Sequence, residues 1–250
     1  MGGTAEGRGL AGRLASDARF ETLLSYAGRT EQLRPPGVPY RVGGFGGIDG
    51  LSALLRAQGF AALVDATHPY AARMSAHAVA AAQQTGIPLL RLERPPWQQR
   101  QGDNWAHVSD MESAARATGA AKKRVFLTVG RQETPAFAAA PQHDYLVRAI
   151  DDFAHGLLHA RLLLARGPFA QADERALLER ERIELLVSKN AGTPATYGKI
   201  EAARALGIPV IMVARPALPA AREVTTLDGV IAWLAALHDT HGSSGSLRGV

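Results

Sequence analysis

The densest run of chemistry-bearing side chains is Asp65-Ala66-Thr67-His68-Pro69-Tyr70-Ala71, where titratable, hydroxyl and aromatic groups follow directly on a β-type run. His68 can exchange a proton near neutral pH, and Tyr70 can pack against a planar ring. The same residues also suit a capped helix start, because Pro69 fits a first helical turn and Thr67 or His68 can cap it. A single histidine without spaced partners defines no metal site, so no metal is expected.

Comparable turns recur in Thr128-Val129-Gly130-Arg131 and in Ser188-Lys189-Asn190-Ala191-Gly192-Thr193. Arg131, Lys189 and Lys199 carry charge that can meet carboxylates, while Ser188, Asn190 and Thr193 offer hydrogen bonds. Any one of them alone could be an ordinary surface residue; the set is harder to explain that way. At the start of the chain, Gly2-Gly3-Thr4-Ala5-Glu6-Gly7-Arg8 precedes an apolar helical pattern at Leu10 and Leu14. Glycines there let backbone amides approach a phosphate, and a helix N-terminus adds partial positive charge. A flexible start followed by a surface helix is the plain alternative. The run departs from G-x-G-x-x-G, and no strand precedes it.

About twenty residues further on comes Ala27-Gly28-Arg29-Thr30, at the place where nucleotide-binding folds read the adenosine ribose. An acidic residue there favours NAD, whereas Arg29 with Thr30 argues for NADPH; a solvated surface arginine is the alternative. Gly43-Gly44-Phe45-Gly46-Gly47 permits close backbone approach to a flat or phosphorylated ligand, and equally a tight connection.

Composition narrows the chemistry. The chain has no cysteine, which removes disulfides, thiolate nucleophiles, Cys-ligated zinc and iron–sulfur clusters, so redox work needs a borrowed cofactor. No apolar run approaches the roughly 20 residues that span a bilayer, and no basic segment leads into an apolar signal core. A cytoplasmic protein without membrane partners is expected. The formal charge of +5 is spread over single Lys and Arg residues, which argues against nucleic acid and suits a polyanionic small molecule. The sequence sets no oligomeric state.

The elements that must position these turns follow from periodicity. Short β-type runs alternate with alanine-rich helical runs, the pattern of an α/β protein with parallel strands. Strands are expected around Thr22 to Tyr26, Ala61 to Asp65, Leu89 to Leu92, Val125 to Val129, Tyr145 to Ile150, Ala160 to Ala165, Leu185 to Ser188 and Val210 to Val213. Helices are expected over Gly50 to Gln58, Pro69 to Thr85, Asp173 to Glu181, Thr196 to Leu206 and Leu227 to Leu237. Ser109-Asp110-Met111-Glu112 has capping-box spacing with Ser109 as cap, opening a helix to about Thr118. Gly86-Ile87-Pro88-Leu89-Leu90-Arg91-Leu92-Glu93-Arg94-Pro95 is nearly repeated as Gly207-Ile208-Pro209-Val210-Ile211-Met212-Val213-Ala214-Arg215-Pro216. That suggests two lobes, although Gly-Ile-Pro is a good helix-to-strand connector anywhere. The expected division is residues 1–118, 119–240 and a flexible tail 241–250, with the polar turns at the carboxyl ends of the strands.

In this order, these segments resemble the precorrin-6A reductases of cobalamin biosynthesis, known also in a cobalt-precorrin version. The resemblance runs from Gly2 to about Pro216 and rests on Asp65 through Ala71, Leu89 through Pro95, Ser188-Lys189-Asn190, and Thr196 with Lys199-Ile200-Glu201-Ala202-Ala203. It implies two Rossmann-like lobes with a cleft between them, and NADPH-dependent reduction of a ring double bond in an anionic corrin precursor. By resemblance, Gly2, Gly3, Thr4, Arg29 and Thr30 hold the cofactor, while Thr67, His68 and Tyr70 border nicotinamide and macrocycle. Arg131, Lys189 and Lys199 face substrate carboxylates. The family places a short apolar strand before the glycine turn, whereas this sequence starts at Met1 on Gly2; the first strand of the N-terminal lobe is therefore expected to be missing. The rival reading is a non-catalytic two-lobed binding protein for an anionic tetrapyrrole or nucleotide.

Overall fold

The computed structural model describes residues 1–27, 37–241 and 247–249. In chain order the first elements are α1 (Ala5–Leu14), β1 (Phe20–Thr22), β2 (Leu24–Tyr26), β3 (Tyr40–Val42), α2 (Gly47–Ala57), β4 (Leu63–Asp65), α3 (Ala72–Thr85) and β5 (Leu89–Leu92). Then come β6 (Trp105–Val108), α4 (Met111–Ala117), β7 (Arg124–Thr128), a 3-10 turn Thr134–Ala139, β8 (Asp144–Ala149) and β9 (Ala160–Leu164). They are followed by α5 (Gln171–Arg180), β10 (Leu185–Lys189), a 3-10 turn Pro194–Thr196, α6 (Gly198–Leu206), β11 (Val210–Val213), β12 (Arg222–Val224), α7 (Leu227–His241) and β13 (Leu247–Gly249). All strand pairs among the described residues are parallel, as the alternating pattern requires.

The contacts divide the chain into Met1–Pro95 with Ala217–Val250, and Pro96–Pro216. The expected single boundary at 118/119 is thereby corrected to two crossings. Trp105–Val108 pairs with Val210–Val213, which draws β6 and α4 into the second unit. Val230, Trp233 and Leu234 of α7 pack with Leu10, Leu14 and Leu90, which returns the last helix to the first unit. The two near-repeats end in Arg94-Pro95 and Arg215-Pro216, so each stands where the chain leaves a unit.

In the second unit the six strands lie in the order β6-β11-β10-β7-β8-β9. Counted from β7, that is the order in which doubly wound dinucleotide-binding sheets are built, with the sixth place taken by a strand from earlier in the chain. Phe126, Leu146, Leu186 and Met212 meet Leu177, Leu178, Ile200 and Ala203 of α5 and α6 on one face. The first unit repeats that order around a gap. Its ladders are β3-β2, β4-β5-β12 and a separate β1-β13 pair, and Met1–Gly2 lies between the first two. Gly2 N–H donates to the Ser25 carbonyl at 3.0 Å, and Ala66 N–H donates to the Met1 carbonyl at 2.9 Å. The Met1 ammonium donates to the Val64 carbonyl at 2.7 Å. Along β4 the side chains alternate faces: Val64 packs with α1 and α7, and Leu63 with Leu51, Leu55 and Ala78 of α2 and α3.

Other expectations also shift. Asp110, not Ser109, caps α4, accepting from Ser113 N–H at 2.7 Å while the Ser109 hydroxyl donates to Asp110 Oδ2 at 2.6 Å. An aspartate is the stronger acceptor facing a helix N-terminus. α3 starts at Ala72 with Ala71 as an N-cap that makes no side-chain bond, so Thr67 and His68 do not cap it. The expected flexible tail is corrected in part: α7 runs through His241, and Leu247–Gly249 pairs with Phe20–Thr22, while residues 242–246 and 250 lie outside the described residues. β6 and β12 escaped the sequence reading. They are short edge strands of three or four residues, too brief for a clear period.

Candidate active site

Gly2 is pinned by geometry as well as by its hydrogen bond. A Cβ at this position would fall 2.3 Å from the Ala66 carbonyl oxygen, so the turn demands glycine. The chain then enters α1, where Thr4 is the N-cap: its hydroxyl accepts from Gly7 N–H at 3.0 Å and donates to the Ala66 carbonyl at 2.8 Å. The start of the chain is therefore tied to the end of β4 rather than loose. Among the described residues the amides of Ala5 and Glu6 find no acceptor, which leaves two donors and the helix dipole for an anion. The Glu6 carboxylate in that first turn is paired with Arg94, which removes most of its repulsion. Gly3 is exposed beside the buried Tyr26 ring. Arg29 and Thr30 lie outside the described residues.

The second turn follows β4. Asp65 is buried, and its Oδ1 accepts from Thr67 N–H at 3.1 Å and from the Thr67 hydroxyl at 2.7 Å. Thr67 Oγ1 also lies 3.3 Å from Ser75 Oγ. Asp65 Oδ2 stands 3.7 Å from Arg91 Nε with no hydrogen bond among the described residues. Arg91 is itself buried, held by Glu223 at 2.6 Å and the Pro219 carbonyl at 2.9 Å, so the buried carboxylate has a counter-charge. Asp65, Thr67, His68, Ser75, Arg91 and Glu93 line a recess of about 180 Å³. His68 Nδ1 accepts from Tyr70 N–H at 3.3 Å, which leaves the neutral ring's proton on Nε2. The His68 and Tyr70 rings lie 5.7 Å apart at 43°.

In the second unit the predicted set separates. Arg131 is exposed, just after Gly130 with φ 105°. Lys189 Nζ donates to Glu133 Oε1 at 2.8 Å. Ser188 is fully buried and its hydroxyl donates to the Lys189 carbonyl at 3.1 Å. Asn190 clamps the backbone of Trp97, accepting from its N–H at 2.7 Å and donating to its carbonyl at 2.9 Å. Ser188 and Asn190 thus spend these bonds inside the second unit. Thr193 Oγ1 accepts from Ala195 N–H at 3.4 Å, capping the 3-10 turn. Lys199 is only 5% exposed. Burial, joined by Arg148 and Lys189 and opposed by Glu174, pushes its amine down to about 7.

Sequence reasoning missed Arg148, Glu174 and Trp97. Arg148 donates to both carboxylate oxygens of Glu174 at 2.9 and 2.6 Å and lies 3.9 Å from the Phe169 ring centre. The available signal was a charge inside an apolar β run, Tyr145-Leu146-Val147-Arg148-Ala149, as Arg91 is in Leu89-Leu90-Arg91-Leu92. Such a charge survives burial only with a partner.

A family model described as Precorrin-6x reductase CbiJ/CobK matches residues 1–235. A Precorrin-6A reductase from Rhodobacter capsulatus is 48% identical over 237 residues, covering 94% of this chain and 94% of that protein. One from Sinorhizobium sp is 51% identical over 217 residues, covering 86% and 83%. A Cobalt-precorrin-6A reductase from Priestia megaterium is 30% identical over 193 residues, covering 72% and 75%. The solved structure of a CobK precorrin-6A reductase superposes with a TM-score of 0.89 at 46% identity, covering 94% of each chain. With a match across nearly its whole length and the same fold, this chain belongs to the precorrin-6x reductase CbiJ/CobK family.

Proposed function

We propose that the chain is a cytoplasmic NADPH-dependent reductase of cobalamin biosynthesis, acting on precorrin-6A or its cobalt form. It adds hydride to one carbon of a ring double bond and a proton to the neighbouring carbon. The observation that carries this reading is the Gly2–Thr4 turn between β2 and β4, with the unpaired amides of Ala5 and Glu6 behind it. That is the place where a doubly wound sheet receives a pyrophosphate.

The residues present fit the cofactor's phosphates: a glycine without room for a side chain, a capped helix start and two amides with no acceptor among the described residues. When bound, NADPH supplies the hydride. The chain's own contribution is orientation. Thr4 ties the helix start to Ala66, so the phosphate turn and the Asp65–Tyr70 turn are held by one hydroxyl. Thr67 is locked by Asp65 and presents the edge of the recess. His68, with its proton on Nε2, and Tyr70 border the reacting rings in this reading, and His68 is the candidate proton donor. Arg131 and Lys199 supply positive charge toward the substrate's carboxylates, with Lys189 reaching them only by sharing with Glu133.

Anaerobic NADPH oxidation with purified precorrin-6A and with its cobalt form tests the proposal. Turnover with either, absent without the corrin precursor, is the expected result. NADPH binding without oxidation of either substrate would favour a carrier, and no NADPH binding would remove the reductase reading altogether.

A further inference from the structure

Three charged residues stand directly opposite one another across the neighbouring strands β4, β5 and β12. Asp65 pairs in register with Arg91, and Arg91 with Glu223. Residues so paired in a parallel sheet project to one side, here the side of α2 and α3, where Leu63 and Leu89 pack two residues earlier. The row closes β4 immediately before the turn that carries Thr67, His68 and Tyr70. Asp65 and Arg91 are buried, whereas the Glu223 side chain is 51% exposed.

Two carboxylates thus compete for one guanidinium, and they share it unequally. Arg91 Nη1 donates to Glu223 Oε1 at 2.6 Å, and Nη2 donates to the Pro219 carbonyl at 2.9 Å. Asp65 Oδ2 is left facing Nε at 3.7 Å, a counter-charge without a hydrogen bond among the described residues. A buried carboxylate beside an arginine ordinarily draws a bidentate fork, as Glu174 does from Arg148. Asp65 instead spends Oδ1 on the Thr67 amide and hydroxyl, and Thr67 Oγ1 lies 3.3 Å from Ser75 Oγ of α3. The turn is anchored to Asp65 because the Arg91 fork is engaged elsewhere.

We propose that Glu223 is a positioning residue: by occupying the Arg91 fork from the edge strand, it keeps Asp65 turned toward Thr67 and so fixes the start of the His68–Tyr70 turn. Its consequence for turnover rests on the reductase reading; its consequence for Thr67 does not. Without Glu223, Arg91 can swing onto Asp65 in fork geometry, exchanging a half-exposed ion pair for a buried bidentate one. The fold then keeps a partner for its buried charges while the turn loses its anchor. An ion pair with a purely structural role behaves the other way, lowering stability when it is lost and leaving the turn as it was.

The test uses the whole chain with Glu223→Ala and with Glu223→Gln, comparing amide hydrogen exchange at Thr67, thermal melting, and anaerobic NADPH oxidation with the corrin precursor. Glu223→Ala should speed Thr67 exchange about tenfold while Tm stays within about 1 °C of the parent. Its kcat should fall about tenfold, with the KM for NADPH unchanged because the Gly2–Thr4 turn is not involved. Glu223→Gln keeps an oxygen that accepts from Arg91 Nη1, and should bring both exchange and kcat to within about threefold of the parent. Unchanged Thr67 exchange in Glu223→Ala, or faster exchange with a matching fall in Tm, would overturn the positioning role. Faster exchange with unchanged kcat would do so too, as would equal exchange in the Ala and Gln variants, which would credit the charge instead of the engaged fork. A parent chain that turns over no corrin precursor removes the reductase reading, and Thr67 exchange then decides the anchor by itself.

Discussion

The two units share a strand order and differ at its centre. In the second unit the central place is β7, five residues paired along both edges to β10 and β8. In the first it is held by Met1–Gly2 and three backbone hydrogen bonds. Beside them lies an apolar recess of about 510 Å³, counting solvent at its mouth, walled by Met1, Leu10, Leu14, Phe20, Leu24 and Val64. Both units offer a glycine turn after that central place, Gly2–Thr4 in one and Gly130 in the other. The first unit equips its turn with backbone amides and a capped helix. The second sets the Lys189–Glu133 ion pair beside its turn. A site of amides needs its strand held in position, while a site of charges needs each charge balanced, so the two units should fail in different ways.

The largest expected effect comes from unbalancing the second unit. Arg148→Leu leaves the Glu174 carboxylate buried without its partner, which should cost about 3–5 kcal/mol. The double change Arg148→Leu with Glu174→Leu should recover most of it. Residue-resolved hydrogen exchange is the appropriate measurement, with loss of protection in β7, β8 and β10 and none in β4 and β5. Equal loss in both would show a single cooperative unit and dissolve the comparison.

Next in size is an extension into the central place of the first unit. Five apolar, β-branched residues added in line before Met1 should enter between β2 and β4 as a parallel strand. Each buried side chain contributes about 1.5–3 kcal/mol against about 1–2 kcal/mol of backbone ordering per residue. A net gain of roughly 3 kcal/mol should raise Tm by several degrees. A Gly/Ser extension of the same length should do nothing, and a proline in mid-extension should cancel the gain. Equal melting of the apolar and Gly/Ser versions would mean that the recess does not accept a strand. NADPH affinity should rise with the apolar version, because the Gly2–Thr4 turn is then anchored from both sides.

The contrast between the units also explains what the sequence reveals. The parallel α/β class is legible because Leu185–Lys189 and Val210–Val213 are continuous apolar runs between helical stretches. The unit boundaries are not, because they depend on which partner β6 and α7 choose, and a four-residue strand such as Trp105–Val108 carries no partner in its own pattern. Gly2, Thr4 and Thr67 could be selected from residue type and place in the turn. The partners of Ser188 and Asn190 could not, since the Trp97 backbone lies 93 residues away from Asn190 in sequence. Lys199 could be selected as a cation able to meet carboxylates, but not as a buried one. A helical lysine in Tyr197-Gly198-Lys199-Ile200 looks the same either way until the neighbouring strands are placed.

His68 separates stability from chemistry within the first unit. If its Nε2 proton is the one delivered to the macrocycle, His68→Asn should lower turnover by about 100-fold, equivalent to about 2.7 kcal/mol. Asn retains a short polar side chain beside Tyr70 N–H, so Tm should hardly move. NADPH-oxidation rates and thermal melts on the same preparations check this. A parallel loss of both would return His68 to a purely structural role in the turn.

The smallest effect distinguishes the units by pH. Burial pushes the Met1 ammonium down to about 6 from 8.0, with Asp65 opposing. The folded amine binds its proton less tightly than the unfolded one. Between about pH 6 and 8 the unfolded state therefore holds more protons, and first-unit stability should rise with pH through that window and level off on either side. The rise should be roughly 2.7 kcal/mol at most. In the second unit Lys199 has its own window, from about 7 up to 10.5, and the stability of that unit should climb later. Hydrogen exchange of β4 against β10 across pH 6 to 10 reads the two separately. Nα-acetylation of Met1, or the apolar extension, replaces the ammonium by a peptide amide that is not charged and still donates to Val64. Either should flatten the first window and leave the second untouched; persistence of the rise after acetylation would mean that another group in the first unit carries the proton.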